Sequence, residues 1–484
     1  MNKSNSNETG LRLNTNSRIL INQFSEKLIA LSATSTGLGI ISTWILSSYY
    51  DVNVVASQIW FGEDSWCRIP QESMGIHCFG DFHERVAISS FGVQPWPNNL
   101  ELSPILPFLT MIWNFAGETI GMKILLYSVL ICYFFLILIP LIWATNHKPL
   151  VTKLIVTSTL GLTSLPFLVA LDRANFVITS TPIFLLFLIS ARRGNLNLLC
   201  VSILTLAAIK PQFLLLAVIF LGMRSYQNFV KTVGLSLAIN SFLIVAAGKG
   251  DLGRLKQWFE AVFNASARKV FREDFPQNIG FSKGIYNIAS AIDWGLTFGL
   301  RINDNHFFAN FFESNSTFLQ LSLYAILTVG LTLIATKIPI TLFCSSLLVL
   351  SCIGNGNYIP GYYLLFIIPI SAIAIRNPIS SDGAETNLGS FDDLGTRTFD
   401  KFFSNLLMVC IVWSSSTLIV PISLTFNDGQ NWGIEPSLRA INLLSKFTPL
   451  LWLLFLILVL LKPILGFRYK QPNHKDWDVY EIAN

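Results

Sequence analysis

Long runs of apolar residues, separated by short polar segments, make up most of this chain. A run of roughly 17–25 apolar residues can cross a bilayer, and unbroken apolar character favours helices over the alternating strands of a barrel. The pattern predicts about twelve transmembrane helices, with an extra short helix at 103–116 that is re-entrant or partly inserted. The predicted crossings lie near 27–49, 119–145, 152–170, 175–191, 195–209, 211–223, 229–247, 317–336, 338–353, 358–375, 402–421 and 448–465.

Composition supports a bilayer as the main solvent of the protein. Of the 484 residues, 52% are hydrophobic and 13% are charged, whereas a soluble chain usually carries about 25% charged residues. The formal net charge of +5 comes from cations scattered at the ends of the apolar runs, so it gives no reason to expect a nucleic-acid partner. We therefore predict an all-α polytopic membrane protein.

Basic residues gather in alternate loops, and the positive-inside rule assigns those loops to the cytoplasm. Both termini are then cytoplasmic, and two large outer loops remain at 50–102 and 248–316. Within the second loop, 253–271 is predicted to form an amphipathic interfacial helix. The cytoplasmic basic residues are Lys3, Arg12, Arg18, Lys27, Lys148, Lys153, Arg192, Arg193, Arg224, Lys231, Lys337, Arg376, Lys462, Arg468 and Lys470.

This topology divides the chain into four parts. Residues 1–26 form a cytoplasmic tail ahead of a retained signal anchor, and 27–375 form the membrane-embedded bundle. Residues 376–401, rich in Gly, Ser and Asp, form a cytoplasmic linker, and 402–484 contain the last helices and a cytoplasmic tail. We expect an integral, multi-pass protein of a bacterial plasma membrane.

The first outer loop carries two cysteines, Cys67 and Cys78, whereas the other five fall in apolar runs, where cysteine behaves as a small hydrophobe. In an oxidising compartment Cys67 and Cys78 can pair. Two free thiols are the alternative.

The most polar stretch after the first crossing is HCFGDFHERVAISSFGVQPW, at 77–96. Asp81 lies among aromatic residues, where a carboxylate has a raised proton affinity and can act as a general base. A solvated loop carboxylate is the alternative. Asp81, His83 and Glu84 together are a weak metal signal because no distant partner accompanies them, so we assign no metal or other cofactor while leaving a metal open.

Charges in apolar surroundings are rare in membrane proteins and usually functional. Lys210 lies at the predicted outer tip of a short hairpin, and Asp172 and Arg173 lie at the outer junction of two crossings. In one interpretation, Arg173 and Lys210 converge on a single phosphate. The alternatives are a lysine that snorkels to the interface, a local Asp172–Arg173 pair, or Asp172 as the cap of the helix that starts near Asn175.

Four stretches together resemble the GT-C-fold membrane glycosyltransferases that use polyprenyl-phosphate sugars. Within them the likeness is to glycosyltransferase family 87, which contains mycobacterial phosphatidylinositol-mannoside mannosyltransferases. The Lys-Pro at the end of an alanine-rich helix is the most specific feature. The stretches are GDF at 80–82 followed by PWPNNLELSPILP, DRANFVITSTPIFLLFLISARRGN at 172–195, ILTLAAIKPQFLLLAVIFL at 203–221, and NYIPGYYLLFIIPI at 357–370.

The chain departs from the family pattern at three places. Ser103-Pro104-Ile105 stands where the outer loop commonly leads into Tyr-Pro-Pro. Ala174 replaces a glycine, and Gly361 replaces a frequent histidine. The resemblance is therefore to a divergent member of the family.

The resemblance implies a GT-C-like bundle and a specific reaction. A single sugar, with mannose the one the family suggests, passes with inversion from a polyprenyl-phosphate donor to a cell-envelope glycan or glycolipid at the outer face. Asp81 would act as the general base, and Arg173 and Lys210 would stabilise the departing lipid phosphate. Candidate substrate-lining residues are Glu84, Asp172, Asn175, Tyr358 and Tyr362. Tyr362, Tyr363 and Tyr358 fit an interfacial aromatic belt as the alternative.

Two other classes compete with the glycosyltransferase. A secondary transporter or lipid flippase would also place isolated charges among many crossings, usually with broken helices in corresponding positions of two halves. No such pair is evident in the sequence. An envelope polysaccharide ligase or polymerase would carry more arginine in its outer loops than 50–102 does.

Overall fold

The computed structural model shows a bundle of α-helices with one small β-hairpin. The helices form where the sequence has its apolar runs, because a backbone in hydrocarbon must satisfy its hydrogen bonds internally. The expected helical membrane fold is confirmed at this level. The structure describes residues 15–50, 103–267, 279–300, 307–354, 356, 359, 361–376, 398–417, 424–427, 437–440 and 443–464.

The described residues of the first half contain nine α-helices, and three of the connections between them are π-helical or 3-10 turns. The α-helices are α1 (Thr15–Tyr50), α2 (Leu106–Ile120), α3 (Met122–Thr145), α4 (Leu150–Val156), α5 (Leu165–Arg173), α6 (Ser180–Arg193), α7 (Leu196–Ile209), α8 (Val218–Gly222) and α9 (Tyr226–Ala247). The connecting turns are a π-helical turn at Thr157–Leu162 and 3-10 helices at Phe176–Thr179 and Pro211–Ala217.

The second half continues in the same way from the segment predicted as the second outer loop. Its α-helices are α10 (Gly253–Ala267), α11 (Phe281–Leu300), α12 (Phe307–Ile334), α13 (Ile340–Ile353), α14 (Ile367–Ile375), α15 (Thr398–Ser415) and α16 (Leu443–Ile464). Short 3-10 helices lie at Ala335–Lys337 and Gly361–Phe366, and strands β1 (Leu424–Asn427) and β2 (Ser437–Ala440) pair antiparallel.

Five helices of the described chain are long and apolar enough to cross a membrane, or six if the bent pair formed by α4–α5 counts as one span. Six further apolar helical stretches have only 10–17 residues, among them α7, α13 and the Phe447–Pro463 part of α16. The multi-pass membrane character is thus supported by length and composition. The figure of about twelve crossings stays a prediction.

The predicted crossing at 152–170 is broken rather than continuous. Its two parts, Leu150–Leu162 and Leu165–Arg173, meet at 57°. A π-helical turn shifts the hydrogen-bond ladder just before the break, and Pro166 in the first turn of α5 cannot donate a backbone hydrogen bond. The chain therefore changes direction inside the bundle.

The predicted second outer loop, 248–316, is largely helical in its described part. The amphipathic helix expected at 253–271 is present as α10. Helix α11 was not predicted, and α12 begins at Phe307 rather than at residue 317. Asp293 of α11 fixes this start, because its two carboxylate oxygens accept hydrogen bonds from the backbone N–H groups of Phe308 and Ala309 at 3.0 and 2.8 Å.

The extra short helix predicted at 103–116 is α2. It packs along α3, and Gly121 separates the two with a φ of 89°, a conformation that glycine adopts without a steric penalty. A sharp change of direction at this point keeps α2 distinct from the long crossing that follows it.

The centre of the bundle is the helical hairpin made by α13 and α14. Residues 341–353 and 361–375 are all buried, and the hairpin is surrounded by α3, α6, α5 and α12. The outer helices show apolar side chains instead: Phe135, Phe242 and Leu333 are 60%, 70% and 73% exposed. An apolar outer surface around a buried core matches a lipid environment.

Polar side chains join the N-terminal helix to the C-terminal pair. Ser35 of α1 donates a hydrogen bond to Ser416 at 2.7 Å, and the Trp452 indole of α16 donates to Ser414 of α15 at 2.9 Å. In a bilayer, where apolar contact alone does not drive helices together, such bonds stabilise their association.

Candidate functional site

The first candidate cation, Arg173, ends a helix inside the bundle. Asp172 is fully buried and Arg173 is 9% exposed. Ala174 then adopts a left-handed conformation with φ 48° and ψ 42°, which turns the chain. The side-chain oxygen of Asn175 accepts a hydrogen bond from Val177 N–H at 2.8 Å, so Asn175 caps the helical turn that follows.

The second candidate cation, Lys210, lies at a comparable break. Helix α7 ends at Ile209, and Lys210 has an extended backbone with φ −149° and ψ 124°. Pro211 then opens a 3-10 helix, because its fixed φ suits a first helical position while its missing N–H would be unsatisfied there in any case. Lys210 is half-buried, as expected for a side chain at the tip of a hairpin.

A third turn, between α13 and α14, connects the other two. We call Gly354, Ile359 and the 3-10 helix Gly361–Phe366 the hub segment. Helix α5, which carries Arg173, packs against the 3-10 part of the hub segment. Beyond Lys210, the ring of Phe213 lies 6.4 Å from that of Tyr363. The structure therefore brings the elements that bear the two cations onto one central segment.

Helix length sets the depth of these turns. Helices α7 and α13 have 14 residues each, which is about 21 Å, whereas the 22 residues of α9 span about 33 Å. The hydrocarbon core of a bilayer is about 30 Å thick. In the predicted topology all three helices begin near basic residues of the cytoplasmic side, and we therefore expect the tips of α7 and α13 to stop short of the outer surface.

The neighbouring helices rise beyond these tips. Asn240 of α9 donates a hydrogen bond to Ala207 O at 3.4 Å, so the last turns of α9 extend about 7–8 Å past the end of α7. Gln320 of α12 donates to Gly354 O at 2.9 Å, which places the turns from Phe307 to Gln320 beyond the tip of α13, on the side predicted to face outward. We call this arrangement the outer recess: its floor is the tips of α7 and α13, and its walls include α9 and α12.

Irregular backbone at membrane depth occurs where protein buries it or where it lines a polar cavity. Here side-chain amides satisfy the last carbonyl groups of the short helices, which have no partner within their own helix. Gln212 donates to Ser351 O at 3.2 Å, next to the bonds from Asn240 and Gln320. Sequence reasoning missed these three amides, although an isolated Asn or Gln in an apolar run is a usable signal.

The acid-bearing outer loop joins the structure at the floor of the recess. Ser103 is 1% exposed, and Ile105 N–H donates a hydrogen bond to Ala208 O at 3.3 Å, two residues before Lys210. The predicted base Asp81, with His83, Glu84, Tyr358, Cys67 and Cys78, lies outside the described residues.

Tyr362 and Tyr363 belong to the hub segment and are 9% and 7% exposed, with ring centroids 5.0 Å apart. Their burial within the protein argues against the interpretation as a lipid-facing aromatic belt for these two residues. Phe213 lies between Tyr363 and Phe184, so the pair is held in an aromatic cluster beneath the recess.

Metal ligands are not grouped in the described part of the chain: it holds no set of three or more His, Cys, Asp or Glu side chains that could bind a metal ion. Comparison of the chain with protein-family models, with curated proteins and with solved structures finds no match. Function must therefore be argued from the recess and its residues.

Proposed function

We propose that this protein is a membrane glycosyltransferase that moves one sugar from a polyprenyl-phosphate donor to a cell-envelope glycan or lipid at the outer face. The observation that carries the proposal is the placement of Arg173 and Lys210 on turns that adjoin one hub segment. In the predicted topology that segment lies below the outer surface. A lipid-linked phosphate enters from the bilayer at such a depth, and cations that bind it are expensive to bury without that purpose.

The proposed chemistry is a single displacement. The Asp81 carboxylate takes the proton of an acceptor hydroxyl while its oxygen attacks the anomeric carbon of the sugar. The bond from that carbon to the phosphate oxygen breaks, and its electron pair leaves with the lipid phosphate, whose charge becomes more negative. Arg173 and Lys210 stabilise that charge. Configuration at the anomeric carbon inverts.

The remaining candidates would line the substrate. Asp172 and Asn175 flank Arg173, and Tyr362 lies in the hub segment, so all three adjoin the proposed phosphate position. Glu84 and Tyr358 are assigned by the family resemblance alone. Asp81 is assigned as the base from its sequence context and the family resemblance. The described chain resumes after the acid-bearing segment with Ile105 N–H bonded to Ala208 O, two residues before Lys210.

The test is to incubate membranes containing the protein with a panel of labelled polyprenyl-phosphate sugars and to measure which one is consumed. We expect Asp81→Asn to reduce transfer by at least about 10²-fold, the usual loss for a general base, while insertion and folding are kept. Asp64→Asn, in the same loop, is the matched control and should be nearly as active as the wild type. Wild-type turnover by Asp81→Asn would refute the assignment.

The phosphate assignment has a separate readout. Arg173→Gln and Lys210→Gln should each lower kcat by about 10²-fold or more, because each removes charge stabilisation of the leaving phosphate. Lys256→Gln, on the exposed face of α10, should leave kcat unchanged. Equal, small effects of all three substitutions would indicate that the recess does not bind the donor phosphate.

One structural observation favours the alternative, a secondary transporter or lipid flippase. The hairpins α7–α8 and α13–α14 lie in different halves of the chain, and each consists of a 14-residue helix, a break and a return that begins as a 3-10 helix. Broken helices in corresponding positions are typical of transporters. Purified protein in liposomes should then move a solute or lipid without consuming a lipid-linked sugar.

A further inference from the structure

A third cation is buried near the hub segment, and sequence reasoning left it in an outer loop. Lys283 lies in the first turn of α11 and is 5% exposed. Its ammonium nitrogen is 5.4 Å from the centre of the Tyr286 ring. A buried ammonium is held by the groups around it, so its place in the fold shows which ligand chemistry this part of the bundle can serve.

The N-terminus of α11 is attached to the hub segment at two points. Ile279 N–H donates a hydrogen bond to Ile359 O at 2.8 Å. The ring of Phe281 lies against Gly354, where an added Cβ would be 3.3 Å from ring atom Cε2. Arg173, Lys210 and Lys283 are therefore carried by three different elements that adjoin the same segment.

Two polar atoms beside this junction are buried and have no hydrogen-bond partner within the described chain. They are the hydroxyl oxygen of Ser282, which is 1% exposed, and the amide oxygen of Gln320, which is 3% exposed. The amide nitrogen of Gln320 is bound to Gly354 O, so its oxygen is fixed close to the hub segment. Native structures leave few such atoms unsatisfied, and each one requires an explanation.

We propose that Ser282 and Lys283 bind the phosphate of the polyprenyl-phosphate ligand as a third element of its site, and that Gln320 accepts a hydrogen bond from a hydroxyl of the attached sugar. The proposal rests on the proposed function and names further binding residues for it. The N-terminus of a 20-residue helix adds a positive potential for an anion. A hydroxyl, an ammonium and a helix N-terminus match phosphate oxygens, and an amide oxygen matches a donating hydroxyl.

Charge balance gives the reason for a third cation. The phosphate of the donor is a diester with one negative charge. The released polyprenyl phosphate is a monoester whose charge approaches two negative charges. Asp172 adds a fully buried carboxylate close to Arg173, which offsets part of the positive charge there. Lys283 therefore contributes most to binding of the more highly charged product.

The test measures binding of polyprenyl phosphate to the full-length protein in nanodiscs of zwitterionic lipid, with uncharged polyprenol as the control ligand. We expect the wild type to prefer the phosphate and Lys283→Ala to weaken its binding at least tenfold. Ser282→Ala should weaken it about threefold, and Lys283→Arg should restore most of it. Gln320→Glu should weaken the binding of the sugar-bearing donor more than that of the sugar-free phosphate.

The matched control is Lys256→Ala, which removes an exposed lysine from α10 and should leave binding unchanged. If the wild type binds polyprenyl phosphate and Lys283→Ala binds it equally well, the assignment of Lys283 is wrong while the proposed donor class stands. If the wild type does not distinguish the phosphate from polyprenol, both fail. If anionic phospholipid in the nanodisc competes as well as polyprenyl phosphate, the site binds general lipid headgroups and the proposal is overturned.

Discussion

Ala174 is the residue whose backbone most directly sets the direction of the Arg173 turn. Its φ of 48° lies in the left-handed region, which costs an L-residue about 1–2 kcal/mol because Cβ approaches the following carbonyl oxygen. Its 2% exposure leaves little room for adjustment. The chain thus keeps a strained residue immediately after the proposed phosphate-binding arginine.

Replacing Ala174 with glycine should stabilise the protein. The strain is removed, and the added freedom of the unfolded chain offsets only about 0.4–1 kcal/mol of the gain. We expect Ala174→Gly to raise the thermal unfolding midpoint in detergent and Ala174→Val to lower it. Ala170→Gly, one turn earlier in α5, is the control and should be destabilising, because a helical position favours alanine by about 1 kcal/mol. A lower midpoint for Ala174→Gly would contradict the left-handed assignment.

At the scale of elements, sequence reasoning located the helices well and their turns poorly. Apolar runs identify a helix because hydrocarbon forces internal hydrogen bonding, and the runs at 195–209 and 211–223 correspond closely to α7 and the return that follows it. Helix α11 was missed because its Ser, Asn, Lys and Asp residues gave it the composition of a loop. Ser282, Lys283 and Asp293 are buried, and Asp293 bonds to the start of α12, a tertiary arrangement that composition does not reveal.

The residues of the candidate site were likewise predicted only in part from the sequence. Asp172, Arg173 and Lys210 were found because charges stand out in apolar sequence. Lys283 was not found because it lies in a segment already rich in charges. The bonds from Gln212 and Gln320 depend on contacts between elements far apart in sequence, and local pattern carries no information on such pairs.

The hydrogen bond of the Gln212 amide is the contact between two helical elements that is easiest to test. It joins the Lys210 hairpin to α13 through Ser351 O at 3.2 Å. Gln212→Leu should lower stability by about 1–3 kcal/mol, because it removes a donor from a buried helix end. Gln257→Leu, on exposed α10, is the control and should change stability little. Thermal unfolding of the purified protein measures both, and equal midpoints would show that this bond does not hold the hairpin in place.

At the scale of the whole molecule, the recess can receive a donor from the outer face only if the tips of α7 and α13 face outward. The positive-inside rule predicts this orientation from the basic residues. Arg193, Arg224, Lys337 and Arg376 lie at the opposite ends of the same short helices, and helix dipoles with basic residues in the last turn of α6 fit that placement.

Cysteine labelling tests this topology directly. In a background where Cys67 and Cys78 are replaced by serine, Asp251→Cys, after α9, should react in intact cells with a maleimide that cannot cross the membrane. His147→Cys, between α3 and α4, should react only after permeabilisation. Both positions are exposed in the structure, so a difference in labelling reports sidedness rather than burial. Labelling of His147→Cys in intact cells would show that the bundle has the opposite orientation. Lys210, Lys283 and the recess would then lie on the cytoplasmic side, where a polyprenyl-phosphate donor presented at the outer face could not reach them.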